Sequence, residues 1–241
     1  MLRSAMDLQH YKIHATDSEL GRAHDLYFDD HEWTIRYLVV TTHHWLARQR
    51  VLVPGAFLRT VDHTRQEIHV ALTKAQVADS PDVDTERPVS RQHVIDLIQY
   101  YGFPYVVHTP SAVLSPGAWH ERGDTHLRSM REVAGYIVQE QDDQLGRVDD
   151  FLVDDTSWII RYVVVDTHTW WPGRKVLVSP GWVGIVRWEA AAVYVDLRRD
   201  TVKNAPTYDP GRPVDLEYER RLWGYYGRAP YWQGGPGVGT A

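Results

Sequence analysis

The 241-residue chain carries a formal net charge of −6, 43% hydrophobic residues and no cysteine. The missing thiols exclude disulfides and thiolate zinc sites, and the acidic balance argues against a nucleic-acid surface, which needs a clustered basic face. No apolar run approaches the roughly 20 residues of a membrane-spanning helix, and Met1–Asp7 lacks the apolar core of a secretory signal; a cytoplasmic protein is expected.

Nearly everything in the chain is said twice, 125 residues apart. Leu20-Gly21-Arg22 returns as Leu145-Gly146-Arg147, and Trp33-Thr34-Ile35-Arg36-Tyr37 as Trp158-Ile159-Ile160-Arg161-Tyr162. Leu2-Arg3-Ser4 returns as Leu127-Arg128-Ser129, and Tyr100-Tyr101-Gly102 as Tyr225-Tyr226-Gly227. A period this long is a duplicated domain rather than a solenoid repeat. The expected organisation is a first copy over 1–107, a linker over 108–126, a second copy over 127–232 and a disordered tail over 233–241.

In chain order, Asp7–Ile13 reads as a short strand and Asp17-Ser18-Glu19 as a turn. Gly21–Phe28 is a strand closed by the polar turn Asp29-Asp30-His31-Glu32. Trp33–Thr42 gives the strongest strand signal, rich in aromatic and β-branched residues. Val51–Val53, Phe57–Val61 and Glu67–Leu72 complete a meander. Strands this short and closely spaced predict a small closed barrel. The period then changes. Lys74–Asp79 fits one helical turn. Ser90 is placed to cap a helix with Val94, Ile95, Leu97, Ile98 and Tyr101 on one stripe and Gly102 beyond its end. The second copy repeats this with Asp215 as cap, Leu216, Leu222, Trp223 and Tyr226 on the stripe, and Gly227 as terminator. The fold class is therefore mainly β: two tandem small barrels, each followed by a C-terminal helix. The two helices are expected to pack on each other, as equivalent surfaces do in a dimer.

The Leu-Gly-Arg start, the Asp-Asp turn, the Trp-x-x-Arg-Tyr-x-Val-Val strand and the Val-Leu-Val-Pro-like strand, at Leu20–Pro54 and again at Leu145–Pro180, resemble the PRC-barrel family. The Tyr-Tyr-Gly helix resembles its tandem bacterial forms. The family takes its name from the cytoplasmic domain of the photosynthetic reaction-centre H subunit and includes the C-terminal domain of a ribosome-maturation factor. The resemblance implies a PRC-type barrel that binds protein surfaces and performs no bond chemistry. The membrane helix of the first and the N-terminal domain of the second have no counterpart here, so neither specific job carries over.

Candidate sites are few. His43, His44 and His168 suggest a metal, but adjacent strand residues point to opposite faces and no three or four ligands converge. Asp29-Asp30 and Asp154-Asp155 lack the alternating oxygen spacing of a calcium loop and read as turns. Arg36 and Arg161 are expected beneath an acidic partner, Asp25 or Asp30 and their twins, with anion binding as the alternative. No nucleophile motif or phosphate loop is present, so no catalytic residue, metal or cofactor is assigned. Asp30, Trp33, Arg36, Tyr101, Asp155, Trp158, Arg161, Trp171 and Tyr226 are the candidate interaction or shared structural positions. Trp170, Trp171, Trp182 and Trp188 distinguish the second copy; they form an interface patch if exposed and an enlarged core if buried. The expected function is a non-enzymatic adaptor or scaffold acting on a protein partner the sequence does not name, with homodimerisation open. The alternative is a protein that binds a small ligand or metal in the cleft between the barrels.

Overall fold

The computed structural model of the chain describes residues 1–42, 46, 50–81, 96–97, 99–102, 126–141, 143–167 and 174–233. The expectations placed on His43, His44, His168, Trp170 and Trp171 lie outside them, as do those on Ser90, Val94, Ile95 and Ile98, on residues 108–125 and on the tail from residue 234.

The fold is mainly β, with two separate sheets. Its organisation follows from one long strand per copy, β3 (Glu19–Asp29) in the first and β10 (Asp143–Asp154) in the second. Along one edge β3 pairs with β4 (Thr34–Thr41), from Arg22↔Thr41 to Asp29↔Thr34. Along the other, only its first residues pair with β2 (Lys12–His14), from Lys12↔Arg22 to His14↔Glu19. The rest of that edge is taken by β8 (Leu127–Ser129), a strand of the second copy, in the register Tyr27↔Ser129 to Asp29↔Leu127. β10 behaves in the same way. It pairs with β11 (Ile160–Asp166), with β9 (Ile137–Glu140), and at its end with β1 (Leu2–Ser4), the first strand of the chain, in the register Leu2↔Asp154 to Ser4↔Leu152. The copies have exchanged their N-terminal strands.

Neither compact unit therefore coincides with one sequence copy. The first unit comprises Ala5–Arg131 and Asp155–Ile159; the second comprises Met1–Ser4, Glu132–Asp154 and Ile160–Ala241. In the first, β5 (Arg50–Pro54), β6 (Leu58–Asp62) and β7 (Glu67–Val70) extend the sheet to the order β5-β4-β3-β2-β7-β6. In the second, β12 (Lys175–Val178), β13 (Val183–Arg187), β14 (Ala192–Val195) and β15 (Thr207–Tyr208) give β13-β14-β9-β10-β11-β12-β15. Each order is an open path, and no ladder among the described residues joins its ends into the closed barrel expected from sequence.

Local chemistry explains several of the repeated motifs. Gly21 has φ +143, and a Cβ there would lie 1.9 Å from the Thr41 carbonyl oxygen; at Gly146 it would lie 2.3 Å from that of Asp166. The glycine of Leu-Gly-Arg is thus required by the close approach of the neighbouring strand. Trp33 and Trp158 are not strand residues, as their aromatic context predicts. Both sit in the left-handed region, at φ 55 and 56, where a bulky side chain is an outlier. Burial holds them there, at 7% and 5% exposure, and Phe28 stacks on Trp33 at 5.4 Å. The predicted Asp turn forms: Asp29 Oδ1 accepts from the backbone N–H groups of His31 and Glu32. Two segments near the chain start differ from expectation. Leu2–Ser4 is a strand, and Ala5–Leu8 is a helical turn, so the strand placed at Asp7–Ile13 is confined to Lys12–His14.

The C-terminal helices close the two cores. Leu216–Tyr226 is capped by Asp215, whose Oδ1 accepts from Tyr218 N at 2.7 Å, and stopped by Gly227 at φ 62. Residues 96–97 and 99–101 are helical in the first copy, with Gly102 at φ 66. Leu97 packs with Tyr27, Tyr37, Val39 and Leu52, and Leu222 with Leu152, Tyr162, Val164 and Leu177. Leu97 and Leu222 are each buried against their own sheet. No described helix is long and apolar enough to cross a membrane.

Deleting residues 2–4 is expected to remove amide-exchange protection from the N–H groups of Leu152–Asp154 that face β1, while leaving Tyr27–Asp29 protected. Equal protection at Leu152–Asp154 with and without the deletion would contradict the exchanged pairing.

Candidate functional site

The exchanged strands are held by the acidic residues that first drew attention. Ser129 Oγ donates to Asp25 Oδ2 at 2.5 Å, and Ser4 Oγ donates to Asp150 Oδ2 at 2.5 Å. Asp30 accepts from Arg128 Nε at 2.7 Å and is bonded to His126 Nδ1 at 2.7 Å. Asp25 and Asp30 therefore clamp the incoming strand. Arg36 pairs with Glu32 at 2.5 Å and Asp29 at 3.5 Å, correcting the partners expected from sequence. For its twin Arg161 the position matching Glu32 is Ser157, and the guanidinium lies over the Tyr231 ring at 4.3 Å.

The remaining sequence candidates are packing residues. Tyr101 packs on the first core beside Phe57, with ring centroids 5.5 Å apart. Tyr226 packs against Trp182 at 4.3 Å, and burial pushes its phenol well above the usual range. The four tryptophans of the second copy divide. Trp182 is buried against Trp223 and Tyr226, Trp188 is 47% exposed, and Trp170 and Trp171 lie outside the described residues. One buried polar cluster belongs to the second copy: Tyr162 Oη and Tyr231 Oη both donate to Glu219 Oε1, and Trp223 Nε1 donates to Tyr162 Oη. The position matching Glu219 is Val94.

The two copies part company on one outer sheet face. In the first unit β2 and β7 run parallel in the register Lys12↔Glu67 and His14↔His69; in the second, β9 and β14 keep it as Ile137↔Ala192 and Gln139↔Tyr194. Equivalent positions are therefore strictly comparable. Lys12, His14, Glu67 and His69 of the first unit become Ile137, Gln139, Ala192 and Tyr194 of the second. On the next strand Thr60 and Asp62 become Ile185 and Arg187, and in the following turn His63 becomes Trp188. A histidine-rich, charged surface has been exchanged for an aromatic and aliphatic one.

On the polar face, His63 links two residues distant in sequence. Its Nε2 lies 2.7 Å from Asp155 Oδ2 and its Nδ1 lies 3.1 Å from Tyr11 Oη. The turn that carries it is set by Asp62, whose Oδ1 accepts from the N–H groups of Thr64 and Arg65. The Arg65 bond foremost, then that from Thr64 and the nearby Arg65 and His69 charges, holds the Asp62 carboxyl below its usual range. On the apolar face, Ile185 is 50% exposed and stands across from Tyr194. The Arg187 guanidinium lies over the Tyr194 ring at 5.4 Å. Trp188 Nε1 donates to Glu132 Oε1, which also accepts from Tyr136 Oη at 3.3 Å. Sequence reasoning missed His14, His63, Glu67 and His69, because only strand register and a turn bring them together.

No protein-family model matches the chain. An uncharacterised protein of Deinococcus radiodurans is 32% identical to it over 125 residues, half of this chain and 44% of that protein. The matched length equals one repeat period, and the match spans less than half of the relative.

Burial raises the Asp25 carboxyl to about 6, against the lowering effect of its bonds from Ser129, Leu26 and Arg131. A carboxyl raised on folding binds more protons folded than unfolded, so its stabilising effect is full at about pH 4 and disappears as pH climbs through about 6. By that shift, the wild-type unfolding free energy should carry a loss of ~2–3 kcal/mol between these limits that Asp25→Asn lacks. Denaturant titrations from pH 4 to 7 test this; parallel pH profiles for the two proteins would refute it.

Proposed function

We propose that this chain is a non-enzymatic adaptor of the PRC-barrel type, each unit an incompletely laddered version of that barrel, and that the second unit carries its main docking face. One observation supports the reading. Ile185, Arg187 and Trp188 are exposed, with Tyr194 half-buried beside Ile185 and Arg187, where the first copy has Thr60, Asp62, His63 and His69. Tryptophan, tyrosine and arginine are the residues that dominate interface energetics. Shared fold requirements do not call for them, since the first copy builds the same hairpin from polar residues. Trp188 is also pre-positioned by Glu132, which lowers the ordering cost of docking.

The partner that fits is a protein surface with an apolar side chain for the Ile185–Trp188 surface and a carboxylate for Arg187. The acidic chain as a whole has no matching attraction for nucleic acid. The polar first unit leaves one copy free for scaffolding, and a cytoplasmic setting suits this use.

The test replaces Ile185, Trp188 and Tyr194 by their first-copy counterparts, as Ile185→Thr, Trp188→His and Tyr194→His. Photocrosslinking from position 184 in native extract should capture a defined protein with the parent chain. The triple variant should lose it while keeping its circular dichroism and melting temperature. With a purified partner, Trp188→His alone should weaken binding about 30-fold, as expected of a central aromatic anchor. An unchanged capture pattern in the triple variant would remove this face from consideration.

A further inference from the structure

We propose that His14, Glu67 and His69 of the first unit form a three-ligand site for a divalent transition-metal ion of the zinc class. The inference rests on the first unit alone and does not depend on the adaptor reading.

The parallel pairing of β2 and β7 sets His14 directly beside His69, and Glu67 lies two residues before His69 on the same strand face. The carboxylate sits between the two imidazoles. His14 Nε2 lies 3.4 Å from Glu67 Oε1, and His69 Nε2 lies 3.8 Å from Glu67 Oε2. Two donors on one tetrahedral zinc, each about 2.0–2.2 Å from the ion, stand roughly 3.4 Å apart. One separation already matches and the other is within a few tenths of an ångström. His14 Nε2 is also a buried nitrogen without a hydrogen bond, despite its distance from the carboxylate. A buried polar atom left unbonded calls for a reason, and an unoccupied ligand direction supplies one.

The surroundings favour a cation. Lys12 shares this face, but its Nζ is drawn 3.5 Å from Glu19 Oε2 on the neighbouring strand. Asp62 stands across from Glu67 in register and adds negative charge beside the site. Two imidazoles and one carboxylate suit zinc and its first-row neighbours better than calcium or magnesium, which prefer all-oxygen sets. A fourth position remains for water or for an external ligand. As the side chains stand, no group of three or more histidine or acidic residues among the described residues is placed to hold a metal ion, this trio included. Closure requires a rotation of the His69 ring, now 5.5 Å from that of His14 and with its side chain 43% exposed.

The second copy shows what the fold asks of these positions. It has Gln139, Ala192 and Tyr194 in the same register, so neither histidine nor the carboxylate is needed to build the hairpin. It also supplies substitutions that the architecture tolerates.

The experiment uses the untagged full chain stripped with chelator, titrated with zinc chloride by calorimetry and with cobalt(II) by visible absorption. One equivalent of each should bind with the signature of a low-coordinate nitrogen–oxygen site, and zinc should raise the melting temperature. His14→Gln with Glu67→Ala should abolish both signals without changing the metal-free melting temperature. His69→Gln, at a more exposed position, should cost about tenfold or more in affinity, at least the loss seen on disturbing a metal shell. A chain with His43→Ala and His44→Ala should bind as the parent does. The proposal is overturned if the parent takes up no metal, if the His14/Glu67 variant keeps the parent's affinity, or if binding is lost on replacing His43 and His44 instead.

Discussion

The structure depends on an edge that each copy fills with a strand of the other. β3 and β10 are eleven and twelve residues long, while the strands paired to their first halves have three and four. Beyond that pairing each long strand would leave backbone donors and acceptors without partners, and an open edge invites unwanted pairing. The exchanged strands β8 and β1 fill the two gaps in the same register. Asp25 and Asp150 receive the serine at the end of each incoming strand, and Asp30 receives the arginine of the first. The acidic residues repeated in the sequence are therefore connectors. Asp25, 5% exposed and bonded through both oxygens, shows what that connection requires: a carboxylate drawn out of water and held by three donors.

Much of this architecture was legible in the residues because its causes are local. Asp29 as a turn acceptor, Asp215 as a helix cap and Gly102 and Gly227 as helix stops each act within a few positions. The exchange was not legible, for a specific reason. Leu2-Arg3-Ser4 and Leu127-Arg128-Ser129 are identical, so the sequence offers nothing to say which sheet each one joins. Trp33 misled through composition: an aromatic at the head of a β-branched run reads as strand, whereas it occupies a left-handed turn stabilised by burial. Arg36 found Glu32, four residues away, where the duplicated Asp25 and Asp30 had seemed the natural partners. The pairing of His63 with Asp155 spans 92 positions and belongs to no motif.

Comparison of the copies becomes more informative once register replaces sequence offset as the ruler. The inner residues Ile13, Ile68 and Val70 correspond to Val138, Val193 and Val195 and are buried in both units. Residues at the alternate positions of the same strands have changed character together. Replacing Lys12, Glu67 and His69 by Ile137, Ala192 and Tyr194 alters charge, size and polarity while the hydrogen-bonded ladder stays fixed. Such concerted change on one face, with the core still aliphatic and buried, separates what the fold requires from what each copy adds to it. It also explains why the outer-face residues escaped notice: each is ordinary in its own strand, and only the neighbouring strand gives it company.

The exchange also imposes an order on synthesis. The far edge of Tyr27–Asp29 waits for Leu127–Ser129, about 100 residues later, or roughly 5–20 s at ordinary elongation rates. Leu2–Ser4 reaches its final place only once β10 has emerged. A ribosome carrying only the first copy therefore holds a sheet with an unfilled berth and a strand whose final berth is not yet made. During that interval Leu2-Arg3-Ser4 is chemically the same strand that the berth will finally accept. A provisional pairing of the first strand with its own copy, later displaced by the second, is thus available to the nascent chain, and the identity of the two tripeptides makes that replacement conservative.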